Sequence, residues 1–549
     1  MPSFRRVLEA IDEAWRERRV DLDEQASRLT AALAEAASPD PAAALPGPEV
    51  LAVARAELGR GFEPRYGGFG GAPKFPPSMA LRFLLRDHVR TGDQDSLDMA
   101  RTTLDAMAAG GLRDHVGGGF HRYSVDDTWL VPHFEKMLYD QALIVRAYTQ
   151  GFQVTGEQRW KIVVEELIEY VLRDLRTDGG GFASAEDADS EGIEGKFYVW
   201  SVEELRDVLG DDAQVVIDYF GASPQGNFEG GNILHVADRT RPRPTEVERS
   251  LPLLREVRSR RVRPGLDNKV LLAWNALFAR ALAEAAAVFE RDDWLDAART
   301  TVEFLESSLR SADGRLLRSW QGGQARHHAY AEDYAALLGA QLTLAELDDM
   351  AWVERARSTA SHLVDLFHDP DSGGFFTSGA DADELLVRGK DFFDNATPSA
   401  NSMAADALLR LAALTGEKTW EAPALSAIRV VGDHLERMPT GFGEMLEALE
   451  RAVVAPLEIV VTGDPTDRSF VELRRGIVGR LLPAAVMAVG GPGDGSGPLH
   501  QGRGGAGPPR AYVCENFACR EPVETAPDLR RLLDGLLSAR DQPGFERFG

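Results

Sequence analysis

The sequence predicts a mainly α protein, an (α/α)6 barrel followed by a small C-terminal α/β region, and three observations carry that prediction. A marker, a polar turn followed by Trp and an Ala-rich amphipathic helix, recurs along the chain. The helix ahead of the marker is apolar nearly all round, as a buried helix must be. Past Pro456 the pattern changes to short apolar runs separated by Gly and Pro.

The marker stands at Gly156-Glu157-Gln158-Arg159-Trp160, Arg291-Asp292-Asp293-Trp294, Met350-Ala351-Trp352 and Gly416-Glu417-Lys418-Thr419-Trp420, with a degenerate copy at Gly92-Asp93 that ends in Leu97. Successive copies lie 63, 134, 58 and 68 residues apart. The long interval holds two periods and predicts a hidden unit between Trp200 and Pro264, where 202–209 and 215–220 read as helical. Six units result. In each, an inner helix such as 271–288 or 335–347 precedes the marker, an outer amphipathic helix follows, and a glycine-aromatic loop such as Asp178-Gly179-Gly180-Gly181-Phe182 closes the unit.

On this reading residues 1–40 are helical, with Phe4, Leu8, Ile11 and Trp15 at helical spacing, and 37–48 is an Ala/Pro linker. The barrel spans 41–455. The C-terminal region, 456–549, holds strands at 457–461, 484–489 and 511–514, helices at 470–481 and 527–537, and a mobile Gly/Pro-rich loop at 490–509.

A net charge of -26 repels nucleic acid and anionic membranes alike. No run of about 18 apolar residues and no signal-like segment after Arg5 and Arg6 is present. The expectation is a cytoplasmic protein with small-molecule partners, without nucleic acid or membrane. Cys514 and Cys519 are too few for a disulfide framework or a zinc site and lack C-x-x-C spacing, which leaves packed thiols or a local pair. The Gly67 to Gly71 run lacks dinucleotide-binding spacing, no P-loop exists, and 186–189 lacks the calcium-loop pattern. No cofactor and no metal is expected.

The densest chemistry lies in Gly118-Gly119-Phe120-His121-Arg122-Tyr123-Ser124, Trp129 and Pro132-His133-Phe134-Glu135-Lys136-Met137-Leu138-Tyr139-Asp140. Read as the first turns of an inner helix, this places His133, Lys136 and Asp140 on one face, with Glu135 and Tyr139 beside it. A histidine and a buried carboxylate within reach suit proton transfer next to a carbonyl, or acid-base hydrolysis. His133, Glu135, Asp140, His121 and Asp333 are therefore the catalytic candidates. Counting back 19 or 20 residues from each marker gives Ser78, Asp140, Asn275, Asp333 and Asn401, a predicted ring at the inner-helix N-termini. Carboxylates alternating with aromatics suit a sugar. Arg122, Tyr123, Trp129, Lys136, Tyr139, Asp187, Asp189, Trp200, Asn275, Glu332 and Asn401 complete the candidate binding set.

Ala72-Pro73-Lys74-Phe75-Pro76, the 118–124 and 132–140 stretches, Asp187-Ala188-Asp189-Ser190 with Glu194-Gly195, Trp274-Asn275, Pro398-Ser399-Ala400-Asn401-Ser402 and Val513-Cys514-Glu515-Asn516-Phe517-Ala518-Cys519 resemble the spermatogenesis-associated protein 20 (DUF255, thioredoxin domain-containing) family. That resemblance implies an N-terminal thioredoxin-like domain joined to a barrel similar to N-acylglucosamine 2-epimerases and six-hairpin glycosidases. Residues 1–40 then correspond to the last helices of the thioredoxin-like domain, whose cysteine motif is absent from this sequence. The family reading leaves three functions in view. One is epimerase- or isomerase-like proton transfer on a sugar, a second is two-carboxylate glycoside hydrolysis by Asp140 and Asp333, and the third is non-catalytic binding beside a thioredoxin-like domain or partner.

Overall fold

The computed structural model describes residues 3–37, 41–239, 241–383, 385–490, 499–500, 503, 507–515 and 518–539. Among these, six helices form a closed ring: Ser78–Thr91, Leu138–Thr155, Leu272–Phe289, Ala331–Leu347, Ala400–Thr415 and Gly443–Val453, each packed on the next and the last on the first. Outside them lie Gln94–Ala109, Gln158–Tyr170, Asp292–Ser308, Trp352–Phe367 and Glu421–Leu435, and Glu49–Gly61 completes the outer layer. This is an (α/α)6 barrel.

Helix character follows from which sides are covered. Ala331–Leu347 is buried at every position but Glu332, whereas Asp292–Ser308 buries a stripe of Trp294, Ala297, Ala298, Thr301, Val302, Phe304 and Leu305 and leaves the rest at least partly exposed. Leu272–Phe289 is long and apolar enough to cross a membrane, yet 83% of it is buried as an inner barrel helix. The marker tryptophans Trp160, Trp294 and Trp352 are buried at the starts of outer helices. Trp160 sits so close to Gly151 of the inner helix that a Cβ there would come within 2.8 Å of the indole. Left-handed glycines at Gly92, Gly156 and Gly416 end three inner helices and set up the polar turns.

The sixth unit is not where the repeat spacing predicts it. Val202–Leu209 and Ala213–Tyr219 are eight and seven residues long, about 12 and about 10 Å of helix, too short to line the barrel. With Thr245–Arg258 they form a separate cluster around Trp200, Leu205, Val216, Phe220 and Leu254. The sixth inner helix is Gly443–Val453. Its Glu444, Glu447 and Glu450 are buried and point at arginines of a neighbouring helix.

All inner helices start at one end of the barrel. Asp333, in the first turn of one, accepts from the backbone N–H of Ala273 in another at 3.0 Å, and Asp394 accepts from Glu444 N at 2.9 Å. Toward the opposite end the lumen is filled by ion pairs. Arg82 Nη1 donates to Glu444 at 2.8 Å, Arg86 Nε to Glu450 at 2.6 Å, Arg146 Nε to Glu284 at 2.7 Å and Arg451 Nε to Asp406 at 2.9 Å. Arg410 Nη2 reaches Glu346 at 3.1 Å.

The C-terminal region packs against that end. Leu457–Thr462 is buried throughout, pairs in parallel with Ala485–Gly490 and antiparallel with Arg510–Glu515, and Ala518–Cys519 extends the sheet. Helices Arg468–Val478 and Ala526–Ala539 cover it through Phe470, Leu473, Ile477, Leu529 and Leu533. Cys514 and Cys519, left open by the sequence, are joined as a disulfide. Much of the 490–509 loop lies outside the described residues. At the other terminus, helices Phe4–Glu17 and Arg19–Ala37 hold Phe4, Leu8, Ile11 and Trp15 exposed.

Candidate functional site

The site is built from two short strands that precede an inner helix. Tyr123–Ser124 pairs antiparallel with Pro132–His133 in the register Tyr123 to His133. Directly opposed residues share a face, and the two rings stack at 5.1 Å, with Phe75 against Tyr123 at 4.7 Å. Arg122 is fixed twice to Glu135, by its N–H to the Glu135 carbonyl at 2.8 Å and by Nη1 to the carboxylate at 2.9 Å. His133 Nδ1 hydrogen-bonds Glu194 Oε1 at 2.7 Å, and its Nε2 lies 3.8 Å from Glu135 Oε2. The His133 and Glu135 side chains are 28% and 25% exposed, so both are open to a ligand while held in place.

The inner helix begins at Leu138, not at Pro132. His133 and Lys136 therefore occupy separate strands and do not share a helical face with Asp140. Extended backbone turns Lys136 inward, where Nζ donates to Asp114 at 2.8 Å and to the Gly118 carbonyl at 2.9 Å, over the Tyr170 ring. Arg258 clamps the same Asp114 with two bonds of 2.8 Å. Lys136 thus belongs to an internal ionic centre, not to the open site.

Asp140 remains at the site, in the first turn of the helix. It is buried, and its Oδ2 has no hydrogen-bond partner among the described residues. Burial pushes its carboxyl well above the usual 3.8; Arg122 offsets part of this and Glu135 adds to it. Tyr139, also raised by burial, packs edge-on against Trp274 at 4.8 Å. Arg122, Tyr123, His133, Glu135, Tyr139 and Asp140 form one cluster with Glu194. Glu194 was not among the sequence candidates. Its signal was the Ser190-Glu191-Gly192-Ile193 turn, which folds Asp189 and Glu194 opposite one another and delivers the carboxylate to His133.

The remaining candidates have other neighbours. His121 is buried between Phe134 and Tyr198, bonds the Phe134 carbonyl at 2.9 Å, and is pushed down to about 3 by burial and by Lys136, which keeps it neutral. Trp129 is buried with its indole N–H on the Tyr66 carbonyl at 2.8 Å. Trp200 lies in the outer helical cluster under the Arg261 guanidinium. Asp187 and Asp189 are exposed. Glu332 stays on the rim, paired to Arg318 at 2.5 Å.

Asn275 and Asn401, predicted as ring members, are clamps. Asn275 accepts from Phe182 N at 2.7 Å and donates to Phe182 O at 3.0 Å; Asn401 does the same with Phe375. Gln141 repeats the arrangement on Phe120. Each clamp pins a glycine-aromatic loop to an inner helix. Asp333 is spoken for as well: Ala273 N, Tyr330 N and Arg318 occupy its oxygens. Its carboxyl is raised by burial to about 6, against the pull of Arg318. Those contacts leave it poorly placed to pair with Asp140 as a second hydrolytic carboxylate.

Among the described residues no group of three or more His, Cys, Asp or Glu is placed to hold a metal. What the cluster can do is proton chemistry: a buried carboxyl with a raised pKa, a hydrogen-bonded imidazole and an arginine for developing negative charge, beside the partly exposed rings of Tyr123 and Trp274.

No protein-family model matches the chain. It is 34% identical to human spermatogenesis-associated protein 20 over 592 residues, covering 96% of the chain and 75% of the human protein. The rat protein of the same name is 33% identical over 596 residues with the same coverage, and an uncharacterized Caenorhabditis elegans protein is 30% identical over 526 residues, 86% of the chain and 72% of the worm protein. Similar solved structures include D-mannose isomerase (TM-score 0.47, 11% identity, 70% of this chain and 85% of that one) and a sugar epimerase from a ruminal bacterium (0.45, 12%, 70% and 86%). An unsaturated glucuronyl hydrolase from Bacillus sp. GL1 also matches (0.44, 12%, 73% and 94%).

Proposed function

The chain belongs to the spermatogenesis-associated protein 20 family, and we propose that the N-terminal rim of its barrel binds a sugar and moves a proton on it, as an epimerase or isomerase does. The observation that carries this reading is Asp140: a buried carboxyl with one unpartnered oxygen and a raised pKa, beside Arg122 and Glu135, the latter 3.8 Å from the partly exposed His133. A carboxyl raised by burial holds its proton to higher pH than a free one and so can give it to a ligand, and perturbed groups of this kind concentrate where chemistry is done.

In this reading His133, oriented by Glu194, takes the proton from the carbon next to the sugar carbonyl. The electron pair moves to the carbonyl oxygen, where Arg122 offsets the charge. Asp140 supplies a proton to carbon of the resulting enediolate; His133 then gives up its proton to solvent, from which the Asp140 carboxylate takes one back. Tyr123 and Trp274 offer ring faces to the sugar C–H surface.

Incubation in deuterated water with a panel of aldoses, ketoses and N-acylated amino sugars tests the reading. At least one sugar should acquire deuterium next to its carbonyl, and Asp140→Asn and His133→Ala should each slow that exchange by about 10²–10⁴-fold. If no sugar exchanges, or the variants exchange at the wild-type rate, the rim has no such activity.

A further inference from the structure

On the outer wall of the barrel, residues 236–239 and 241–243 form a strap against helices Gln94–Ala109 and Gln158–Tyr170. The strap is pinned at both ends. Val236 N donates to the Ala109 carbonyl at 2.7 Å, and Arg243 Nη1 donates to Glu166 at 2.6 Å. Between strap and helices lies a groove of about 360 Å³, inside the size range of small-molecule sites, which starts at about 300 Å³. Its lining is apolar at Ala109, Ile162, Val163, Val236 and Pro242, and basic at Arg113, Arg159, Arg239, Arg241 and Arg243.

The charges of this groove do not cancel. Asp105 is the one carboxylate among the lining residues, and Arg159 takes both its oxygens, at 2.8 and 3.1 Å, while the Trp160 indole N–H adds a third bond. Glu166 is shared by Arg113 and Arg243; burial would raise its carboxyl, but the two guanidiniums outweigh burial and take it down to about 2. Glu157 is divided between Arg101 and Arg159, and Glu63 is held by Lys74 at 3.6 Å. Arg239 and Arg241 have no ion pair and no side-chain hydrogen bond among the described residues. They face rings instead, Arg239 over Tyr66 at 5.9 Å and Arg241 over Tyr219 at 6.0 Å. Burial lowers the Arg239 guanidinium, and Asp105, Tyr66 and Glu63 do not make up the difference. Even with the exposed Asp238 counted, the six arginines named here meet only Asp105, Glu157, Glu166 and Asp238, on a chain whose net charge is -26. A basic island of this kind draws anions against the field of the rest of the molecule.

We propose that this groove binds a small phosphate monoester with an apolar body. Arg239 and Arg241 supply two unmatched positive charges at one end of an apolar trough, and a dianionic phosphate matches both through paired N–H···O bonds. The organic group lies along Ile162, Val163 and Val236. Phenyl phosphate, with about eleven non-hydrogen atoms, has the size such a groove encloses. Inorganic phosphate would gain the charge pairing without the apolar contact. Benzenesulfonate, of similar shape, carries one charge where two are unmatched.

The test is isothermal titration of the full chain with phenyl phosphate, inorganic phosphate and benzenesulfonate at equal ionic strength and about pH 7.5, above the second phosphate pKa of about 6. Phenyl phosphate should bind saturably and one-to-one, at least tenfold tighter than either of the others. Arg239→Gln combined with Arg241→Gln, both at exposed positions of the strap, should leave the melting temperature unchanged and weaken phenyl phosphate at least tenfold. Ile162→Asn should shrink the advantage over inorganic phosphate while leaving inorganic phosphate binding as it was. Equal, unsaturable binding of all three ligands, or wild-type affinity in the double arginine variant, would show a solvated basic surface and overturn the proposal. So would a loss of phenyl phosphate binding in the rim variant Arg122→Gln but not in the strap variant.

Discussion

The two ends of the barrel use the same six helices and have opposite chemistry. At the N-terminal rim, carboxyls sit in first turns, half-exposed side chains are held by single hydrogen bonds, and Asp140 keeps an oxygen unused. In the other half, Arg86, Arg410 and Arg451 lie well along their helices, toward the C-terminal ends whose partial negative charge favours cations, and most of their charge is matched inside the lumen. One end keeps proton-active groups accessible. The other encloses charges that cannot leave. The contrast teaches that burial alone does not identify a functional group here; Asp140 is raised by burial with only Arg122 to offset it, whereas Glu444, also buried, is held low by Arg82, Arg146 and Arg280.

The largest expected effect lies in the lumen. Arg82→Ala removes the partner of Glu444 and Glu447 and leaves buried carboxylates uncompensated. Urea unfolding should show a loss of about 3–5 kcal/mol, whereas His133→Ala at the rim should cost no more than about 1 kcal/mol. Comparable losses for the two would end the distinction between the ends.

Acid should separate the ends by sign. Glu284 ordinarily titrates at 4.5; burial alone would raise it, but Arg146 and Arg280 outweigh burial and take it down to about 2. A carboxyl lowered on folding contributes stability that is present above 4.5 and lost as pH falls toward 2, on the order of 3 kcal/mol at full effect. Asp140 is raised, so its contribution is present below 3.8 and lost as pH rises through its folded value. Glu284→Gln should flatten the acid limb of the stability profile, while Asp140→Asn should gain on the wild type as pH rises. Parallel profiles for the two variants would contradict the assignment.

Much of this was legible in the sequence because it repeats. Apolar inner helices, marker tryptophans such as Trp160 and Trp294 and the glycine-aromatic loops predict the barrel, and the 118–140 stretch holds most of the rim cluster. Three things were not legible. The sixth unit was sought between Trp200 and Pro264 because Gly443–Val453 has no tryptophan marker and carries Glu444, Glu447 and Glu450 where the other inner helices are apolar, and those charges are buried against arginines. Pro132 and the residues after it fit a helical turn by spacing, yet strand pairing with Tyr123–Ser124 claims them first. Asn275 and Asn401 sit at the predicted ring level but face the backbone of their own loops, a choice that only tertiary contact makes.

Those clamps give the next effect in size. Asn275→Ala and Asn401→Ala each strand a buried N–H and C=O of a Phe residue. About 1–3 kcal/mol should be lost in each case, with Gln141→Ala equivalent on Phe120. Hydrogen exchange at the Phe182, Phe375 and Phe120 amides should rise in the matching variant alone; exchange rising across the whole barrel would mean that the clamps act globally.

The smallest effect on stability should come from Glu194→Gln, and it bears most directly on function. Glu194 is 44% exposed and holds His133 through one 2.7 Å contact, so an exposed pair of this kind should contribute less than about 1 kcal/mol to folding. Glutamine retains an acceptor of similar reach but no charge. If Glu194 orients His133 for proton transfer, the variant should fold and melt like the wild type while solvent-deuterium exchange into the responsive sugar falls about tenfold or more, with substrate affinity little changed. A variant that exchanges normally would show that the Glu194 contact does not orient His133 for proton transfer, and would leave Glu135 and Asp140 to position that geometry without it.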